Sequence, residues 1–204
     1  MDTPELRYLN QLIEEQPTNI TAYLRRGAVV AEFDLSLALA DFDKAVELDP
    51  KCAEAYGNRG LVHYRMKNLE LALQDYQTAL DIDPGLVEIH FNRGLIRAKQ
   101  QDFKKAIVDF DNAISLEPDY HSAHNERTRC LLNISSYVAA IESANKAMKI
   151  RPAYASDYYY RAIAYDGLAE TSKAKQDLEK ALALGISGNQ KRDAENLLNK
   201  LKDR

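Results

Sequence analysis

Five arginines stand in one register along this chain: Arg26, Arg59, Arg93, Arg127 and Arg161. A guanidinium is permanently charged and presents its donors as a planar fork, so its natural partner is a carboxylate. A column of acids accompanies it at Asp41, Asp75, Asp109 and Asp177, with Ser143 in the fourth place. The chemistry on offer is charge pairing, either within the protein or with an acidic partner. Because the acids track the arginines, internal pairs such as Arg59–Asp75 and Arg93–Asp109 are expected. Arg127 faces Ser143, and is expected to be free or to turn to Glu142 or Glu126.

Other reactive residue types are sparse. His121 and His124 have a helical spacing that suits a shared metal. However, His90 and His124 alternate with Tyr23, Tyr56 and Tyr158 in one slot, which points to packing. No cysteine or acid cluster completes a zinc set, so no metal and no cofactor are expected. Cys52 and Cys130 fall in a turn and in mid-helix two repeats apart, beyond the reach of a disulfide. The glycines are single, so no phosphate loop is present. No Ser/His/Asp or Cys/His arrangement is defensible, and an enzyme is not expected.

Charge and hydropathy exclude further classes. The net charge is −4 with both signs interspersed, which argues against nucleic acid and against an anionic membrane surface. No apolar run approaches the roughly 18 residues of a membrane span. The stretch Met1–Asn10 is polar and acidic, unlike a secretory signal, so a cytoplasmic protein is expected.

The elements that position these residues follow from the prolines. Pro50, Pro84, Pro118 and Pro152 recur every 34 residues, and Pro17 precedes them by 33. A fixed period of 20–50 residues marks a repeat architecture. In this register Gly60 and Gly94 close the triplets Asn58-Arg59-Gly60 and Asn92-Arg93-Gly94, with Gly27 in the same slot. Small residues recur at Ala38, Ala72, Ala106 and Ala140, and again at Ala45, Ala79, Ala113 and Ala147. Apolar residues such as Phe103, Ala106, Ile107, Phe110, Ala113 and Ile114 form one helical stripe. Each repeat therefore reads as two helices of about 13 residues, each about 20 Å long. The Asp-Pro or Glu-Pro pair stops the second helix and starts the next unit.

Together these residues resemble tandem tetratricopeptide repeats over nearly the whole chain. The resemblance implies an all-α, right-handed superhelical solenoid of helix-turn-helix repeats with capping helices. A single domain over 1–204 is expected: an N-terminal cap at 4–16, repeats at 18–50, 51–84, 85–118, 119–152 and 153–186, and a C-terminal cap at 189–203. It also implies a noncatalytic scaffold for protein–protein interaction, which binds a peptide segment or helix of a partner on the concave face built by the first helices. The expected partner-binding stripe is Leu24, Arg25, Asn58, Leu61, Tyr64, Phe91, Asn92, Leu95, Lys99, Asn125, Arg129, Tyr159 and Tyr160. Two alternatives stand beside this: a structural or assembly subunit, and a cochaperone-type adaptor. The adaptors' carboxylate clamp needs Lys flanking the glycine slot, where this chain has Leu24 and Ala28, then Gly57 and Leu61. A protein or peptide partner is expected, with no nucleic acid and no membrane.

Overall fold

A computed structural model describes residues 3–202. Positions 1, 2, 203 and 204 of the expected domain, including the last residue of the expected C-terminal cap, lie outside the described residues. Among the described residues every regular element is an α-helix. These are α1 (Pro4–Glu15), α2 (Ile20–Val30), α3 (Leu35–Leu48), α4 (Ala53–Arg65), α5 (Leu69–Ile82), α6 (Val87–Lys99), α7 (Phe103–Leu116), α8 (His121–Asn133), α9 (Tyr137–Ile150), α10 (Ala155–Gly167), α11 (Thr171–Ala183) and α12 (Gly188–Lys202). The architecture is an all-α helical-repeat solenoid. The chain divides into two compact units between Ile96 and Arg97.

Side-chain caps start several of the helices. Thr3, Asn19 and Asp34 accept backbone N–H groups of the first turns of α1, α2 and α3. Such a cap is worth about 1 kcal/mol. Helices α3 and α5 end at Asp49 and Asp83 in extended geometry, as a residue before proline prefers. The turn inside a pair is made differently. Lys67, Gln101, Ser135 and Ala169 hold the left-handed conformation, with φ of 67°, 63°, 57° and 59°. In each, the next residue's N–H bonds a carbonyl five residues back, as in Asn68 to His63 and Glu170 to Tyr165, both 2.9 Å. The first pair is one residue shorter and closes without such a residue. There the Asp34 N–H bonds the Val30 carbonyl at 2.7 Å, and its carboxylate caps α3.

Small-against-large columns set the packing within a pair. A Cβ on Gly27 would meet the Phe42 ring at 2.8 Å, and one on Gly60 would meet Tyr76 at 2.7 Å. Both rings are fully buried. Burial of such a ring contributes roughly 1.5–3 kcal/mol, which the glycine makes possible. In the second unit the columns exchange sizes. Thr128 replaces the glycine where the ring column shrinks to Ala144, and Ala162 replaces it where that column holds Leu178; all four are buried. At the chain's end, Ala194, Leu198 and Leu201 of α12 join Leu178, Ala181 and Ile186 in one core.

Candidate functional site

The arginine ladder is built as internal staples. Arg26 Nε and Nη2 grip Asp41 at 2.9 and 2.6 Å, while Nη1 reaches Asn10 Oδ1 at 2.9 Å. Arg59 grips Asp75 at 2.9 and 2.7 Å and reaches Asp43 at 2.9 Å. Arg161 grips Asp177 with two bonds of 2.7 Å and reaches Asn145 at 2.6 Å. The acid partner lies on the following helix of the same pair, and the other partner on the preceding pair or cap. Hydrogen bonds to the carboxylate raise these guanidinium pKa values further, against the opposing effect of burial. In the first unit Arg93 Nη1 donates to Gln77 at 2.8 Å. In the second, Asp109 accepts from Arg97 at 2.8 Å.

Two sequence expectations need correction here. Arg127 turns neither to Glu142 nor to Glu126, but to Asp111 at 2.6 Å. Asp111 belongs to a second polar column, Asn10, Asp43, Gln77, Asp111 and Asn145, each sixteen residues before its arginine. The repeat phase of this column is present in the sequence, but its mixture of Asn, Asp and Gln conceals it. The aromatic slot is also more than packing. Tyr23 and Tyr158 hydroxyls donate to the Pro17 and Pro152 carbonyls at 3.1 and 3.0 Å. His90 and His124 Nε2 lie 3.0 and 2.9 Å from the Pro84 and Pro118 carbonyls. A carbonyl only accepts, so Nε2 carries the proton in both rings.

The expected binding stripe is placed as follows. In the first unit Leu24 is buried in the core, and Arg25 is exposed and paired with Glu5 at 3.1 Å. Tyr64 packs against Ala72, Tyr76 and Ile96. Leu61 is exposed; Asn58, Phe91, Asn92 and Leu95 are half-buried on α4 and α6. In the second unit Lys99 is exposed, and Asn125 is buried with its amide bonded to Asp157 at 2.6 Å. The remaining three converge. Arg129, Tyr159 and Tyr160 line a cleft of about 280 Å³ with Leu132, Asn133 and Ile163. Arg129 pairs with Glu126 on its own helix. Gln190 of α12 braces the cleft, accepting from Ser156 Oγ and donating to Tyr160 Oη, both at 2.9 Å. Gln190 stands one 34-residue period after Ser156, but no other repeat holds a glutamine in that slot, so its brace could not be read from the sequence.

Beside this cleft lies a buried polar knot. His121 Nε2 meets Asp157 Oδ2 at 2.7 Å, and the His121 ring stands edge-on to Tyr154 at 4.7 Å. Burial raises the Asp157 pKa, while the bonds from His121 and Asn125 pull it down. His121 and His124 are thus committed to different partners. Among the described residues no group of three or more His, Cys, Asp or Glu side chains is placed to hold a metal.

Paired helices, repeat-phased glycines and staples between successive pairs define a helical-repeat protein. The tetratricopeptide repeat model matches residues 53–86 and 87–120, so this chain carries tetratricopeptide repeats, a module of protein–protein interaction. No curated protein matches the chain significantly. Solved structures share the fold. YrrB, described as a TPR protein with an unusual peptide-binding site, aligns with a TM-score of 0.83 at 23% identity, covering 92% of this chain and 97% of YrrB. MamA aligns at 0.75 and 21% identity, covering 81% of this chain and 91% of its own. The pilF protein of Pseudomonas aeruginosa aligns at 0.74 and 20% identity, covering 90% and 84%. No described helix is long and apolar enough to cross a membrane.

Proposed function

We propose that this protein binds a peptide segment or helix of a partner protein on the faces of its first helices. The observation that carries this reading is the cleft of Arg129, Tyr159 and Tyr160 on α8 and α10, with Leu132 and Ile163 as its apolar wall. Tyrosine and arginine are the residue types enriched in binding hot spots, and tyrosine offers both a ring and a hydroxyl. In the first unit Asn58, Leu61, Phe91, Asn92 and Leu95 supply a second set, with asparagine amides suited to a peptide backbone. Leu24 and Asn125 are left out of the proposed surface, since one packs in a core and the other is bonded within the protein; Tyr159 is buried to the same degree as Leu24 and contributes only the part of its side chain that lines the cleft. YrrB has the same fold and is described as binding peptide, which supports the reading.

Selection of peptides from a displayed random library tests it. Peptides enriched on the wild type are expected to bind at least about tenfold more weakly to an Arg129→Ala/Tyr160→Ala variant that keeps its helical circular dichroism. Unchanged affinities would remove the cleft from the binding surface.

A further inference from the structure

Arg127 is the under-bonded member of the ladder. Arg26, Arg59 and Arg161 each commit three nitrogens to two partners. Among the described residues Arg127 makes one hydrogen bond, from Nε to Asp111. The residue in the acid column is Ser143, and its hydroxyl donates instead to the His124 carbonyl at 3.0 Å. A hydroxymethyl group where the other rungs hold a carboxymethyl leaves space. A cavity of about 230 Å³ lies there, lined by Arg127, Ser143, His124 and Lys146, with Asp111 and Glu142 also on its wall. A liquid water occupies about 30 Å³, so the cavity has room for a carboxylate and several further heavy atoms.

The charges around it are arranged for an anion of a particular kind. Asp111 is taken up by Nε, which leaves the two terminal nitrogens of Arg127 and the Lys146 ammonium. Their field is felt locally. Burial is the main cause that holds His124 below its ordinary range, the bond to Pro118 opposes it, and the charges of Arg127 and Lys146 add to the lowering. We propose that this cavity binds a carboxylate from outside the chain, seated on the two terminal nitrogens of Arg127, the edge of the fork that Asp111 leaves open, beside the space where the other rungs hold the side chain of Asp41, Asp75 or Asp177. A planar monoanion matches the guanidinium fork as a bidentate partner. A divalent anion such as phosphate is disfavoured, because Asp111 and Glu142 already stand on the wall. The carboxylate is either a free small acid or an Asp or Glu side chain of a bound polypeptide. The site is separate from the cleft of Arg129 and Tyr160 and does not depend on it.

Thermal unfolding tests the site with two probes. One is sodium acetate against sodium chloride at equal ionic strength. The other is the capped tripeptide acetyl-Gly-Glu-Gly-amide against its Gln counterpart. Wild type and Ser143→Ala are expected to gain about 2–4 °C in Tm with acetate over chloride, as a ligand that binds only the folded state should give. Ser143→Asp, which places a carboxylate in the cavity covalently, is expected to melt higher than wild type without ligand and to show no acetate gain. A response to acetate alone assigns the site to free small acids. A matching response to the Glu peptide, absent with Gln, assigns it to a polypeptide side chain as well. An equal acetate gain in Ser143→Asp and wild type, or no gain in wild type, overturns the proposal. Should Ser143→Asp fail to fold, the arginine Nε–Hε resonances of the wild type decide. Arg127 must shift on acetate titration while Arg26, Arg59 and Arg161 stay fixed, and a static Arg127 overturns the site.

Discussion

His124 and Tyr158 hold the same slot in successive repeats, and each bonds the carbonyl of a proline six residues earlier. The two differ in one respect: the imidazole can be protonated near neutrality and the phenol cannot. Burial, the largest cause, lowers the His124 pKa below its ordinary value. The folded state then takes up the proton less readily than the unfolded chain. Stability is complete above the ordinary histidine value of about 6.5 and is lost as pH falls from there toward the depressed folded value. His124→Tyr keeps the bond to Pro118 and removes the titration. Its Tm is expected to change less than that of wild type between pH 7 and pH 5.5, and equal changes would show that His124 contributes nothing to the acid sensitivity. At this scale the sequence was legible where two columns change together. Arg59 with Asp75 and Arg161 with Asp177 could be paired on paper because both members repeat. Asp111 could not be given to Arg127, because its column mixes Asn, Asp and Gln and its partner sits on the next repeat. Gln190 has a register, one period after Ser156, but its slot holds Glu54, Glu88, Ser122 and Ser156 elsewhere, so a glutamine bond to Tyr160 had no repeat to announce it.

Among the elements, the turns inside the helix pairs carry the clearest local tension. Lys67, Gln101, Ser135 and Ala169 all hold a left-handed backbone that costs an L-residue about 1 kcal/mol, and none is glycine. The proline signals at the other turns were plain in the sequence because proline acts through its own ring. These four positions carried no such mark, and the motif shows only in the hydrogen bonds, as from the Glu170 N–H to the Tyr165 carbonyl at 2.9 Å. Glycine is the residue such a position favours. Ala169→Gly is therefore expected to raise stability by about 0.5–1 kcal/mol, with the larger entropy of the unfolded chain limiting the gain. Equilibrium denaturation in urea measures it, and a loss of stability would mean that the methyl group of Ala169 outweighs its backbone strain. The size exchange at Thr128 with Ala144, and at Ala162 with Leu178, belongs to the same level. Each substitution looks like a lapse from the repeat pattern when read alone, and becomes intelligible once the facing column is read with it.

At the scale of the molecule, the staples decide how stability is distributed. In a repeat protein each pair contacts its neighbours, so stability is close to a sum of repeat and nearest-neighbour contributions. The second polar column is part of that neighbour contribution, because each member ties an arginine to the preceding pair or cap. Asn145 on α9 accepts from Arg161 on α10 at 2.6 Å, while the charge of Arg161 stays balanced by Asp177. Asn145→Ala thus removes a link between pairs without stranding a charge, at a cost of about 1.5–3 kcal/mol for a hydrogen bond to a charged group. Native-state hydrogen exchange locates the effect. Amides of α9 and α10 are expected to lose protection, with the α2 and α3 amides unchanged, because no staple of the first unit involves Asn145. An equal loss in α2 and α3 would show that the chain opens as one cooperative body, and the nearest-neighbour description would fail. The matched substitution Asn10→Ala, which removes the same link to Arg26, should give the mirrored pattern, with protection lost in α1 and α2 and kept in α9 and α10.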